Sequence, residues 1–162
     1  MPKFRPDRCF ETVLHITPEF LKKKDVRALT LDLDNTLAPY KQRKVKPAVA
    51  AWLASMREHG IKLAVLSNAR ERRVAEFCAP LGLPYISKAQ KPGVTCFKRV
   101  AELLKLPPRH IGMVGDQVFT DIHGAKRSGF LAIWVKPISL RNPLFKLRSW
   151  LEWPFLVKAP RG

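Results

Sequence analysis

Acidic residues are scarce in this 162-residue chain: 13 Asp and Glu stand against 30 Lys and Arg, a formal charge of +17. A field of that size selects no fold, but it favours anionic partners such as nucleic acid, anionic lipid or phosphorylated small molecules. Cysteine is sparse as well. Cys9, Cys78 and Cys96 are odd in number, far apart and without a C-x-x-C pair. That argues against a disulfide framework and a zinc knuckle, and fits a reducing compartment. No apolar run approaches the roughly 20 residues that span a bilayer, and the N-terminus lacks the uninterrupted apolar stretch of a secretory signal. Internal repeats and low-complexity segments are missing too. Apolar residues at 46% are nevertheless enough for a core. The expectation is a soluble, cytoplasmic, single-domain protein, since two domains would each be small at this length.

The few acids are unevenly placed. Between residues 28 and 135 four are glutamates in helical patterns (Glu58, Glu71, Glu76, Glu102), where solvated faces account for them. The others are Asp32, Asp34, Asp116 and Asp121, two close pairs, each attached to the end of an apolar run. Strand-like runs at 28–31, 61–66, 84–86, 111–114 and 131–135 alternate with helical patterns at 47–59, 71–81, 94–106 and 119–128. Such alternation predicts an α/β fold: a three-layer Rossmann-like arrangement, one parallel sheet with helices on both faces. Ligands of these sheets bind beyond the carboxyl ends of the strands. Asp32, Ser67 and Asp116 therefore converge on one edge.

Two carboxylates close together repel unless a cation or proton lies between them, and hard cations such as Mg²⁺ take oxygen ligands together with phosphate oxygens. A carboxylate can also attack phosphorus and form an acyl phosphate. Lys91, in Gln90-Lys91-Pro92-Gly93, and Ser67-Asn68 could neutralise a phosphoryl group. Singly these signals are weak, because D-x-D is most often a surface turn and Lys-Pro a solvated loop. The ordered set is specific: D-L-D-N-T after the first run, S-N after the second, K-P before a helix and G-D-x-x-x-x-D after the fourth.

Asp32-Leu33-Asp34-Asn35-Thr36, Ser67, Lys91 and Gly115-Asp116 with Asp121 resemble, in order, the four motifs of the haloacid dehalogenase (HAD) superfamily of phosphohydrolases, over roughly residues 10 to 138. Ile16-Thr17-Pro18-Glu19 and Met113 to Ile122 look like the YqeG-type subfamily IIIA phosphatases, a group that includes phosphatidylglycerophosphate phosphatases. The resemblance implies that Asp32 is the nucleophile and Asp34 the acid and then the base. It implies that Ser67 and Lys91 hold the phosphoryl oxygens, beside the Asn68 amide that the residue pattern itself offers. Asp32, Asp34 (through its backbone carbonyl), Asp116 and the auxiliary Asp121 would hold Mg²⁺. A cap domain, which many members carry, would need an insertion after Asn35 or after Ile86, and neither gap has room for one. The site should be open, suiting a substrate that is large or presented by a surface.

The expected division is a catalytic domain over 1–138, with a helical lead-in, and a basic tail over 139–162. Lys41, Arg43, Lys44 and Lys46 follow the nucleophile, as a phosphate-steering rim or a plain solvated loop. In the tail, Asn142-Pro143 starts a helix whose Leu140, Leu144, Leu147 and Leu151 form one stripe, with Arg141, Lys146 and Arg148 as the basic face. That pattern fits a helix lying in the inner face of a membrane, and equally a helix packed on its own domain or on another subunit. Residues 156–162 are expected to fray. The four histidines share no ligand spacing. The functional expectation is Mg²⁺-dependent hydrolysis of phosphatidylglycerophosphate. The alternatives are a phosphatase acting on a polynucleotide end or a soluble ester, and a nucleic-acid-binding protein on the same scaffold.

Overall fold

The computed structural model describes residues 3–162. Six parallel strands, β1 (Arg8–Phe10), β2 (Ala28–Leu31), β3 (Lys62–Leu66), β4 (Tyr85–Ile86), β5 (Ile111–Gly115) and β6 (Leu131–Val135), lie in the order β1-β6-β5-β2-β3-β4. The helices are α1 (Pro18–Lys23), α2 (Pro47–Glu58), α3 (Glu71–Cys78), α4 (Val94–Leu104), α5 (His123–Ser128) and α6 (Pro143–Leu156).

Strand period divides the core in two. Leu29 and Leu31 of β2 and Leu63 and Val65 of β3 meet Trp52, Leu53 and Met56 of α2 and Val74 and Phe77 of α3. On the other face Ala28, Ala64 and Leu66 meet Phe97, Val100 and Leu104 of α4 and Ala125 of α5. Pro47 at the first turn suits the start of α2, and Gly60 with φ +77° turns the chain from α2 into β3. No inserted domain interrupts either cap position, so the three-layer sheet stands without a cap.

Two expectations need correction. The lead-in is not wholly helical: Arg8-Cys9-Phe10 pairs with Ile133–Val135 and adds a sixth strand. The helix expected at 119–128 is present and opens with a π-helical turn over Val118–Ile122 that passes into α5. Residues 156–162 are not frayed. Leu156 and Ala159 are buried with Cys9 and Val118, the Cys9 N–H donates to Pro160 O at 2.8 Å, and the Gly162 N–H donates to Cys9 O at 2.9 Å. The chain end thereby covers the edge of β1 that would otherwise present unpaired backbone.

Candidate active site

The register places the site. Leu31 lies opposite both Val65 and Val114. Asp32, Ser67 and Asp116 thus leave the carboxyl ends of the three central strands at nearly one level, which is where the topology of such sheets opens a crevice.

Asp32, Asp116 and Asp121 are buried, and each offers an oxygen within 4.8 Å of the others. Asp121 comes from the π-helical turn, which swings its carboxylate back under Gly115, where Oδ2 accepts the Gln117 N–H at 3.1 Å. Lys91 is buried between them. Its Nζ donates to Asp32 Oδ1 at 2.8 Å, Asp121 Oδ1 at 2.6 Å and the Leu66 carbonyl at 2.8 Å. Burial pushes the Asp32 carboxyl up to about 6, although Lys91 pulls it down. Burial, followed by the charges of Asp32 and Asp121, holds Asp116 well above the usual carboxylate range despite Arg148. Burial alone would lower Lys91, but Asp121 and Asp32 outweigh it and keep its ammonium above its ordinary value. Three crowded oxygen donors, with the charged forms of Asp32 and Asp116 disfavoured by burial and by neighbouring carboxylates, make a set that a hard divalent cation would relieve. The residues fit such an ion.

Asp34 lies elsewhere. Its side chain is half-buried at the mouth of the cleft, where Oδ1 accepts from Arg73 Nη2 at 2.8 Å and from the Lys41 N–H at 3.3 Å. Its carboxylate is therefore not among the three clustered acids, and only its main chain remains as a donor toward an ion. Ser67 Oγ accepts the Ala69 N–H at 3.1 Å at the cleft floor. Asn68 lines the cleft and bonds the Lys91 backbone. Its Oδ1 accepts the Lys91 N–H at 2.8 Å and its Nδ2 donates to Lys91 O at 3.3 Å, which positions the lysine segment.

Several groups at the site carry no signal in the linear motifs. Arg73 of α3 comes from one helical turn that reads as a solvated face. Arg148 of α6 donates from Nη2 to Asp116 Oδ2 at 3.0 Å, across 32 positions of sequence. Trp134 Nε1 donates to the Asp116 carbonyl at 2.8 Å, and the Thr36 hydroxyl reaches Asp116 Oδ1 at 3.4 Å. Of these, Thr36 alone lay inside a recognised motif. The cleft above the acids holds about 650 Å³, and its walls include Tyr40, Lys41, Arg70, Arg73, Phe145 and Arg148. Its rim is basic and its floor acidic, an arrangement that admits an anionic group toward the buried carboxylates. The histidines lie outside it: His123 stacks on Phe4 and His110 bonds the Asp25 carbonyl.

Comparison with known proteins agrees with this geometry. The chain is 40% identical over 136 residues to a probable phosphatase, YqeG, of Bacillus subtilis, covering 84% of this chain and 79% of that one. It is 30% identical over 150 residues to the chloroplastic phosphatidylglycerophosphate phosphatase 1 of Chlamydomonas reinhardtii, covering 86% of this chain but only 55% of that longer protein. In fold it is similar to 3-deoxy-D-manno-octulosonate 8-phosphate phosphatase of Moraxella catarrhalis, solved with magnesium, phosphate and KDO. That likeness has a TM-score of 0.54 at 15% identity and covers 86% of this chain and 95% of that one. A family model, haloacid dehalogenase-like hydrolase, matches residues 8–129, a span that runs from β1 to the end of α5 and takes in every motif residue. The chain therefore belongs to the haloacid dehalogenase-like hydrolases, as a phosphatase of that superfamily.

Proposed function

We propose that the chain hydrolyses phosphatidylglycerophosphate to phosphatidylglycerol at a membrane surface, with Mg²⁺ and through an aspartyl phosphate on Asp32. The observation that carries the chemistry is the junction of Asp32 with Lys91, Asp116 and Asp121 beneath an open basic cleft. Asp32 would attack phosphorus. Asp34, held by Arg73 at the mouth, would give a proton to the leaving alkoxide, a poor leaving group without it, and would then take a proton from the attacking water. Lys91 would hold the nucleophile's carboxylate in place and offset phosphoryl charge. Ser67 would face a phosphoryl oxygen. Asp32, Asp116, Asp121 and the Asp34 carbonyl would hold Mg²⁺, which when bound supplies neutralising charge to the phosphoryl oxygens.

Two features favour a lipid headgroup over a small ester. The cleft has no cap, so nothing encloses a small substrate. Arg73 and Arg148 carry buried guanidinium N–H groups without a partner, beside Arg70 and Lys41, donors enough for the second, diester phosphate of such a headgroup. The Chlamydomonas relative is named for this same activity.

Phosphate release with Mg²⁺ from phosphatidylglycerophosphate in mixed micelles, from soluble sugar phosphates and from 3′-phosphorylated DNA tests both levels. The lipid should be preferred by about 10-fold or more in kcat/KM, the scale of one extra well-placed charge contact. Asp32→Asn should abolish release, and Asp34→Asn should lower kcat by roughly 10²- to 10⁴-fold, as for loss of a general acid. Release that persists in Asp32→Asn removes the aspartyl phosphate. A preference for sugar phosphate or DNA removes the lipid assignment and leaves the chemistry standing.

A further inference from the structure

α6 turns two charged side chains inward: Arg148 reaches Asp116, and Glu152, 2% exposed, accepts the Phe119 N–H at 3.3 Å. Phe145, Phe155 and Leu156 also pack inward, but most of its large apolar side chains face out. Leu144 is 71% exposed and Trp150 73%, and Leu147, Leu151, Trp153 and Val157 are each at least half exposed. At 100° per residue these six form one outward face four turns long, with the exposed Lys146 as the one charge within it. In water such a face is costly, because single exposed leucines are ordinary but a contiguous patch marks an interaction surface.

We infer that the outward face of α6 docks into the acyl boundary of an anionic bilayer and sets the cleft against the lipid surface. Charge complementarity selects this occupant. The chain carries +17, and Arg141, Lys146, Lys158 and Arg161 lie exposed along and around the helix, as in helices that rest in anionic headgroups with tryptophan at the interface. A second copy of the chain would bring another +17 to the same face. The inner side of the same helix is a wall of the cleft through Phe145 and Arg148, and Phe145 meets Tyr40 edge-on at 5.2 Å. A hollow of about 470 Å³ lined by Tyr40, Ile138, Arg141 and Phe145 adjoins it at the start of the helix. Docking through α6 therefore brings the cleft that this helix walls to within about one helix diameter of the lipid surface.

The inference deepens the proposed lipid reading, and its test uses lipids that are not substrates, so the two fail separately. Full-length protein is floated with vesicles of phosphatidylcholine containing about 30% phosphatidylglycerol, an anionic surface of the required sign. Wild type should rise with these vesicles and not with pure phosphatidylcholine. The double variant Leu147→Glu/Trp150→Glu should bind at least about 10-fold less, the scale of removing two buried apolar side chains. It should hydrolyse a soluble aryl phosphate at the wild-type rate, which shows that it is folded and that its cleft is intact. Wild type that stays with the aqueous fraction overturns the inference, as does a variant that floats like wild type. A wild-type dimer in solution that the double variant breaks would also overturn it, assigning the face to a second copy.

Discussion

Gly115 shows how a motif residue can be required for space alone. The Asp121 carboxylate lies against its α-carbon, and a β-carbon added there would sit 2.6 Å from Asp121 Cβ and closer still to its carboxyl group. No side chain fits unless Asp121 leaves its contacts with Lys91 and the Gln117 N–H. Gly115→Ala should therefore cut phosphatase activity by about 10²-fold or more, as a misplaced catalytic group does. It should cost about 1–3 kcal/mol of stability through overpacking. Circular dichroism should show the sheet retained, and unchanged kinetics would mean that Asp121 takes no part. At this scale the sequence was informative where a residue sat beside its partners at a strand end: Asp32, Ser67 and Asp116 could all be placed from strand order. It was silent on Arg73 and grouped Arg148 with the basic face of the tail helix, whereas the structure turns Arg148 inward onto Asp116. Which helical face turns inward depends on packing partners far along the chain. The sequence also did not show that the Asn68 side chain bonds the Lys91 backbone, since a strand-end amide can serve a ligand or a neighbouring backbone equally well.

Among elements, α6 carries the clearest energetic signature. Glu152 is sealed beneath it, and burial pushes its carboxyl from 4.5 to about 7 against the pull of the Phe119 N–H and Arg148. A carboxyl raised in the folded state binds its proton more tightly there than in the unfolded chain. Stability from this group is thus intact below pH 4.5, falls as pH climbs and reaches its full penalty above about 7. Glu152→Gln keeps an oxygen for the Phe119 N–H and removes the buried charge. Thermal unfolding of both proteins should coincide near pH 4. At pH 8 the variant should be ahead by about 3 kcal/mol, equivalent to roughly 6–12 °C for a chain of this size. A constant gap across that range would place the charge in solvent. The leucine stripe of this helix was legible from spacing, while its outward direction was not. Periodicity reports that a face exists and leaves open what covers it. β1 was missed for a related reason. Three residues are too few to show an alternating period, and their pairing with β6 lies more than a hundred residues away.

Over the whole molecule the α/β alternation made the sheet readable, because parallel strands buried on both faces appear as short apolar runs whatever their order in space. The less readable parts are those in which the two chain ends meet, β1 and residues 160–162, together with the π-helical turn that brings Asp121 beneath Gly115. What they assemble is a negative point inside a strongly positive protein. Three carboxylates share one small volume, with Lys91 and Arg148 as the cations in direct contact. An ion that binds the folded cluster and not the unfolded chain adds stability as its concentration rises, about 2.7 kcal/mol at one hundred times its Kd, or roughly 5–10 °C here. Mg²⁺ should raise Tm on that scale. Asp116→Asn should respond in two opposite ways. Without the ion it should melt no lower than wild type at neutral pH, since it removes a carboxylate whose charged form burial disfavours. With the ion it should gain far less, because a ligand is gone. A wild-type Tm indifferent to Mg²⁺ would mean that the three acids are held by Lys91 and Arg148 alone, and the phosphoryl chemistry would lose its electrostatic basis.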